Sequence, residues 1–185
     1  MKNRLISTTI VGIGLTYLFK LLTAISNVTL LQGVGLPISR HSKIAGFLYV
    51  FISIMIYGFI YSLMHKEWEY NFEYDLFRST LMATLTVGAS CITKVKDSDK
   101  YLKSTGKYFF QGFLVICLYD MITGVLVPCI SGYSLGQLLY PQIEWTLTRS
   151  LFSLIPIVLL SHILDTFLSH GFSKFPSIDW RFRYR

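Results

Sequence analysis

Charge is scarce in this sequence. Of its 185 residues, 15% are Asp, Glu, Lys or Arg, where a soluble domain carries about 25%. Hydrophobic residues make up 52%, and mean hydropathy is +0.51. The deficit is what membrane spans produce. The period-two alternation of barrel strands is missing as well; the apolar runs are long and continuous, which excludes a transmembrane β-barrel. An open sheet cannot satisfy its backbone in lipid. What remains is an all-α, polytopic transmembrane bundle, with residues 1–185 as a single integral membrane domain.

Cysteine is equally sparse. Cys91, Cys117 and Cys129 are odd in number, lie in or beside apolar runs and lack ligand spacing, so they read as small buried hydrophobes. The signatures of catalysis are missing too. There is no His-Glu-x-x-His and no glycine-rich phosphate loop, and no Gly-x-Ser-x-Gly elbow. Asp120 and Asp165 are available as an aspartate pair, but the Gly-x-Gly-Asp run of intramembrane aspartyl proteases is not there. The four histidines are not spaced as ligands. The expectation is a protein that is not an enzyme, with no metal and no cofactor.

The net charge of +7 does not signal nucleic acid, because the basic residues sit in short clusters at the ends of apolar runs. That is the cytoplasmic bias of Lys and Arg in membrane proteins. In chain order, Met1–Ile38 starts with Lys2 and Arg4 and continues apolar. It is too long for a secretory signal and reads either as one long helix or as two short spans meeting near Lys20–Asn27. Within it Thr8, Gly12 and Thr16 recur at every fourth residue. Such a small-residue ridge lets another helix approach closely; it packs inside the bundle or docks a partner. Arg40 and Lys43 mark a boundary. Ile44–Met64 is a span of 21 residues, near the ~20 that a bilayer core requires. His65–Asp75 is a loop with Glu67, Glu69, Glu73 and Asp75 against one Lys, interleaved with aromatics suited to an interface belt. Leu76–Thr93 is a more polar span. Lys94–Lys107 is a basic loop, with five Lys against two Asp. A helix from Phe109 carries Asp120 and breaks at Ser131-Gly132. The Gly132–Gln142 segment follows, interrupted by Pro141, and the last span runs from about Leu147 to His170.

With basic segments placed inside, these loops alternate sides without conflict. The basic N-terminus joins them if Met1–Ile38 is a hairpin. That gives six spans with both termini cytoplasmic, in a plasma membrane of the bacterial type; the competing arrangement has five spans and an outside N-terminus.

The chemistry concentrates between Asp120 and Arg149. A mid-span carboxylate costs roughly 2.5–3.5 kcal/mol on insertion scales, so it needs a partner or a role. A solute site needs a few fixed polar groups on an apolar wall. Asp120, Thr123, Gln142, Glu144, Trp145 and Arg149 supply that set: Trp145 as a plate for a planar ring, and Arg149 as a bidentate donor to a carboxylate or phosphate. The plainer alternatives are an ion pair of Glu144 with Arg149, or of Arg149 with Asp120 across the bundle. His162 and Asp165, three apart, share a helix face, as a packing contact or a proton relay.

Tyr119-Asp120-Met121-Ile122-Thr123-Gly124, followed after about seventeen residues by Gln142-Ile143-Glu144-Trp145-Thr146, resembles the back half of the substrate-binding (S) components of energy-coupling-factor vitamin transporters. In that family an aspartate followed by Thr-Gly precedes a Gln-Ile-Pro-Phe-Thr run ending in His. Here Glu144 stands for the Pro, Trp145 for the Phe and Arg149 for the His. The resemblance implies a six-helix protein that binds a small vitamin-like solute. Its partners would be the lipid bilayer, a transmembrane coupling subunit met through the Thr8–Gly12–Thr16 ridge, and paired ATPases. The alternative function is a non-catalytic structural or assembly subunit of a membrane complex.

Overall fold

The structure, a computed structural model, describes residues 6–7, 9–14, 27–64, 71–96, 99 and 101–170. The regular elements are α1 (Asn27–His41), α2 (Lys43–Met64), α3 (Phe72–Ile92), α4 (Tyr101–Met121), a π-helical turn (Ile122–Leu126), α5 (Val127–Ile130) and α6 (Leu135–His170). Residues 6–7 and 9–14 are also helical, and no strand occurs among the described residues.

Among the described residues three helices are long and apolar enough to cross a membrane: Lys43–Leu63, Tyr101–Ile130 and Leu135–Ser169. At 1.5 Å per residue the shortest of them covers the ~30 Å of a hydrocarbon core. Their outward faces are apolar, with Ile44, Leu151, Phe152 and Ile155 exposed. Six spans do not follow directly from length and composition. α3 carries Glu73, Asp75 and Arg78 in its first two turns.

The chain reverses between α1 and α2 over one residue. Ser42 caps α2, its hydroxyl accepting from the Ala45 N–H at 3.2 Å. The reversal is tight because Gly46 lies against Ser39, where a Cβ would come within 2.6 Å of the Ser39 Cα. Further up the hairpin Gly35 meets Val50. α2 and α3 are antiparallel along their length, with Gly58 against the Asp75 carboxylate at one end and the Lys43 ammonium donating to Ser90 Oγ at the other. α4 and α6 form a second antiparallel pair, from Thr105 beside His162, past Gly112 against Leu154 and Ile157, to Gly124 against Gln142. α1 packs against both pairs. Its Gln32, fully buried, donates to Thr86 Oγ1 of α3 at 3.0 Å, and its Gly33 abuts Leu160 of α6. The core between them holds Tyr49, Tyr108, Ile116 and Ile157.

Several boundaries differ from the sequence expectation. α3 starts at Phe72 rather than Leu76, because Asn71 caps it by accepting from the Tyr74 N–H at 2.9 Å; Glu73 and Asp75 are therefore helical. α4 starts at Tyr101, inside the expected Lys94–Lys107 loop. The break at Ser131-Gly132 is present, with Gly132 at φ 99°. It is confined to a short turn, however, and α6 begins at Leu135 instead of Leu147 and runs through Pro141 and Pro156. Prolines are tolerated in membrane helices, where neighbouring groups satisfy the freed carbonyls.

Thr8, Thr16, residues 15–26, residues 65–70 and the tail from Gly171 lie outside the described residues. Gly12, the middle of the proposed ridge, is buried within the chain; a Cβ there would meet Val34 at 2.9 Å and Tyr49 at 3.2 Å.

Candidate functional site

The Tyr119–Thr146 region is built by the α4–α6 hairpin and by a local change of helix type. Pro128 has no N–H to offer the Gly124 carbonyl one turn earlier. The ladder widens there, the Val127 N–H reaching the Ile122 carbonyl. Such π turns recur at functional sites. The widened turn presents Gly124 to α6 so closely that a Cβ would overlap the Gln142 amide.

One turn below lies Asp120, 3% exposed. Arg149 Nη1 donates to Asp120 Oδ1 at 2.6 Å. Thr146 Oγ1 lies 3.4 Å from Asp120 Oδ2, and Gln142 Nε2 lies 3.4 Å from Thr146 Oγ1. Residues 142, 146 and 149 sit three and four apart and so occupy one face of α6. The aspartate–arginine pairing is thus the one formed across the bundle, and Glu144 is exposed on another face.

Of the six residues singled out as ligand-binding, Asp120, Gln142 and Arg149 come together. Thr123 lies beside them, with its hydroxyl donating to its own helix at Tyr119 O, 2.8 Å. Glu144 is exposed and Trp145 is 60% exposed, so both face away from the cluster. The spacing of four between Trp145 and Arg149 places them on roughly one side of the helix. The side chain that meets Asp120 is at 149, and Thr146 rather than Trp145 is its neighbour there.

A second polar pair lies on a neighbouring face of α4. Arg78 Nε donates to the Tyr119 hydroxyl at 3.0 Å, sits 3.6 Å from Asp75, and lies over the Tyr74 ring at 5.2 Å. Tyr119 and Asp120 therefore send two polar groups to two different helices. Arg78 and Tyr119 were not among the expected site residues. The signal for them was a cation nearly two turns into a helix that pairs with α2 along its length.

The other end of the bundle is more heavily connected. Asp165 of α6 binds Arg40 Nη1, and its second oxygen is 3.0 Å from His41 Nε2. Arg40 Nε also donates to Val95 O at 3.0 Å. The Tyr108 ring is fully buried, its hydroxyl beside Asp165 and Arg40. His162 hydrogen-bonds Thr105 at 2.8 Å and stacks on Tyr101 at 4.5 Å, so it does not join Asp165 in a pair. Asp99, in the connection between α3 and α4, is gripped by Lys107 at 2.5 Å and Lys103 at 3.4 Å. Its hydrogen bond to Lys107 holds its carboxyl well below the usual carboxylate range. A lowered value means that this contact contributes its full stability above the ordinary carboxylate range and loses it progressively as the pH falls from that range through the lowered value.

Surface grooves among the described residues include two that are lined by α3 and by α4 with α6. One, of about 480 Å³, is lined by α3 residues Glu73, Leu76, Phe77, Thr80, Leu81 and Thr84. The other, of about 300 Å³, lies between α4 and α6 and is lined by Phe109, Phe113, Leu147, Ser150, Leu151 and Leu154. Neither is lined by Asp120 or Arg149. Among the described residues no three His, Cys, Asp or Glu side chains converge as metal ligands. Comparison with protein families, with characterised proteins and with solved structures finds no match.

Proposed function

We propose that this chain is the membrane-embedded solute-binding component of a small-molecule transporter. It has six spans and works with a transmembrane coupling subunit and paired ATPases. The carrying observation is the meeting of Asp120, Gln142, Thr146 and Arg149 beside the π turn. A carboxylate and a guanidinium at membrane depth are rare, face the bundle interior or a watery cavity, and mark solute or ion paths. An anionic, partly planar solute would exchange with Asp120 for the Arg149 guanidinium, while Thr146 and Gln142 orient it. Glu144 and Trp145 have no part in that site.

The six spans are supported by the pairing of α2 and α3. α3 has 21 residues against the 22 of α2 and lies antiparallel to it from end to end, so it crosses wherever α2 crosses. Its charges lie near its first turns, where Asp75 and Arg78 neutralise one another. The N-terminal residues and α1 supply the remaining hairpin. The Arg40, Lys43, Lys94 and Lys107 side chains gather at one end of the bundle. By the distribution of Lys and Arg in membrane proteins, that end faces the cytoplasm, with both termini.

A second reading, a non-catalytic assembly subunit, draws on α3. Thr80, Thr84 and Gly88 recur at every fourth residue. The Gly88 Cβ position has nothing within 4 Å, so a neighbouring subunit's helix would find room there.

The two readings separate in one assay. The purified protein, heated with a panel of small planar carboxylates and phosphates, should gain thermal stability with at least one of them. Saturation at about 100 times Kd adds roughly 2.7 kcal/mol. Arg149→Lys, which keeps the charge and loses the planar fork, should reduce that gain. Stabilisation by a partner protein alone, with no response to any solute, would favour the assembly subunit.

A further inference from the structure

We propose that the α3–α4 connection is a docking surface for anionic phospholipid headgroups, with Lys94, Lys96 and Lys103 as the cationic contacts and Leu102 as the apolar anchor. Three observations place it there. The first is charge. Residues 94–107 hold five Lys against two Asp, and the Lys94, Lys96 and Lys103 side chains are exposed. The Lys94 and Lys96 ammonium groups have no hydrogen bond or ion pair among the described residues. The second is order. Asp99 accepts from the Lys96 N–H at 2.8 Å and holds Lys103 and Lys107, while Lys107 also donates to Lys94 O at 2.6 Å. These contacts tie Lys94, Lys96, Lys103 and Lys107 to one another through Asp99 and the Lys94 carbonyl.

The third is the apolar neighbour. Leu102 is 82% exposed and Tyr101 is 68% exposed, next in the chain to Lys103. A leucine so exposed among lysines is costly in water and fits the boundary between headgroups and acyl chains, where an amphipathic element lays its apolar side inward and its cations on anionic lipid. The position agrees. The apolar helix Tyr101–Ile130 has 30 residues, about 45 Å, against a ~30 Å core. Its first turns therefore reach the headgroup layer. The occupant is a lipid headgroup rather than a free anion, because Leu102 and Tyr101 need the acyl boundary as much as the lysines need the phosphate.

The test uses the full-length protein in nanodiscs made with equal amounts of phosphatidylglycerol and phosphatidylcholine. The lipids that stay bound after detergent extraction are counted by native mass spectrometry. The wild-type protein should retain phosphatidylglycerol in preference, and high salt should erase the preference. Lys94→Gln with Lys96→Gln should lower the ratio by roughly fivefold per lysine, and Lys94→Arg with Lys96→Arg should keep it. Equal retention of the two lipids by the wild-type protein would overturn the proposal. So would an undiminished preference in the double Gln variant, or full displacement of the lipid by inorganic phosphate at the same ionic strength.

Discussion

Arg149→Ala should lower the stability of this protein by about 3–5 kcal/mol, because it strands a buried carboxylate. Asp120 is 3% exposed and its charge is met by Arg149 at 2.6 Å, with Thr146 at 3.4 Å from its other oxygen. A lone threonine hydroxyl cannot replace a guanidinium for an ion at membrane depth. The carboxyl would take up a proton to remain, and the helix pair would lose its strongest cross-link near the π turn. Removing both charges should be far milder. Asp120→Asn with Arg149→Gln keeps hydrogen-bonding capacity without a charge to bury, and replacing both members of a buried pair is often close to neutral. Reversible unfolding in mixed micelles reads both variants. If the single and double variants lose the same stability, the pair is not coupled, and the site loses its central element.

That pair shows how far the sequence reaches. Asp120 announced itself because a carboxylate in the run FFQGFLVICLYDMITGVLVPCI has few reasons to be there, and Arg149 was the nearest cation on the following helix. Their contact was one of several open pairings. Choosing it required the phase of α6, and that depends on where the helix starts. Pro141 and the polar residues before it suggested an irregular stretch and a start near Leu147. The helix starts at Leu135 instead, and its phase brings Thr146 and Arg149 to Asp120 while Trp145 turns outward. The Asp165 cluster was hidden for another reason. His162 is its near neighbour in sequence, whereas Arg40 and His41 are more than a hundred residues away, and no periodicity links positions on different helices. The arrangement of the ends was legible. Alternating basic and acidic connections put Arg40, Lys43, Lys94 and Lys107 on one side, and those residues do gather at one end of the bundle. The span count was less so, because α3 keeps its charges in its first turns.

Asp165→Ala should be the second large effect, about 3 kcal/mol, near the lower bound for a broken buried pair because this cluster lies at the end of the bundle. Asp165 joins α6 to the last turn of α1 through Arg40 and His41. Without it Arg40 loses its ion pair to α6 while its bond to the Val95 carbonyl remains, and the Tyr108 hydroxyl loses the carboxylate beside it. The loss should appear as local opening before global unfolding, with faster amide exchange in α1 and the last turns of α6 and little change in α2. Asp165→Asn, which retains one acceptor, should fall between the wild type and Asp165→Ala. Uniform exchange throughout the bundle in Asp165→Ala would show that the residue does not clip α1 to α6.

The arrangement of the spans carries everything else, and impermeant thiol labelling of intact cells and of inverted vesicles measures it directly. Single cysteines at Asn3, Lys96, Ser134 and Ser177, in a protein with Cys91, Cys117 and Cys129 replaced, report the two ends of the chain and the two ends of α4. The account predicts that Asn3, Lys96 and Ser177 label only in inverted vesicles and that Ser134 labels only in intact cells. Labelling of Asn3 from outside would contradict six spans and leave five; labelling of Ser134 from the same side as Lys96 would contradict the bundle itself.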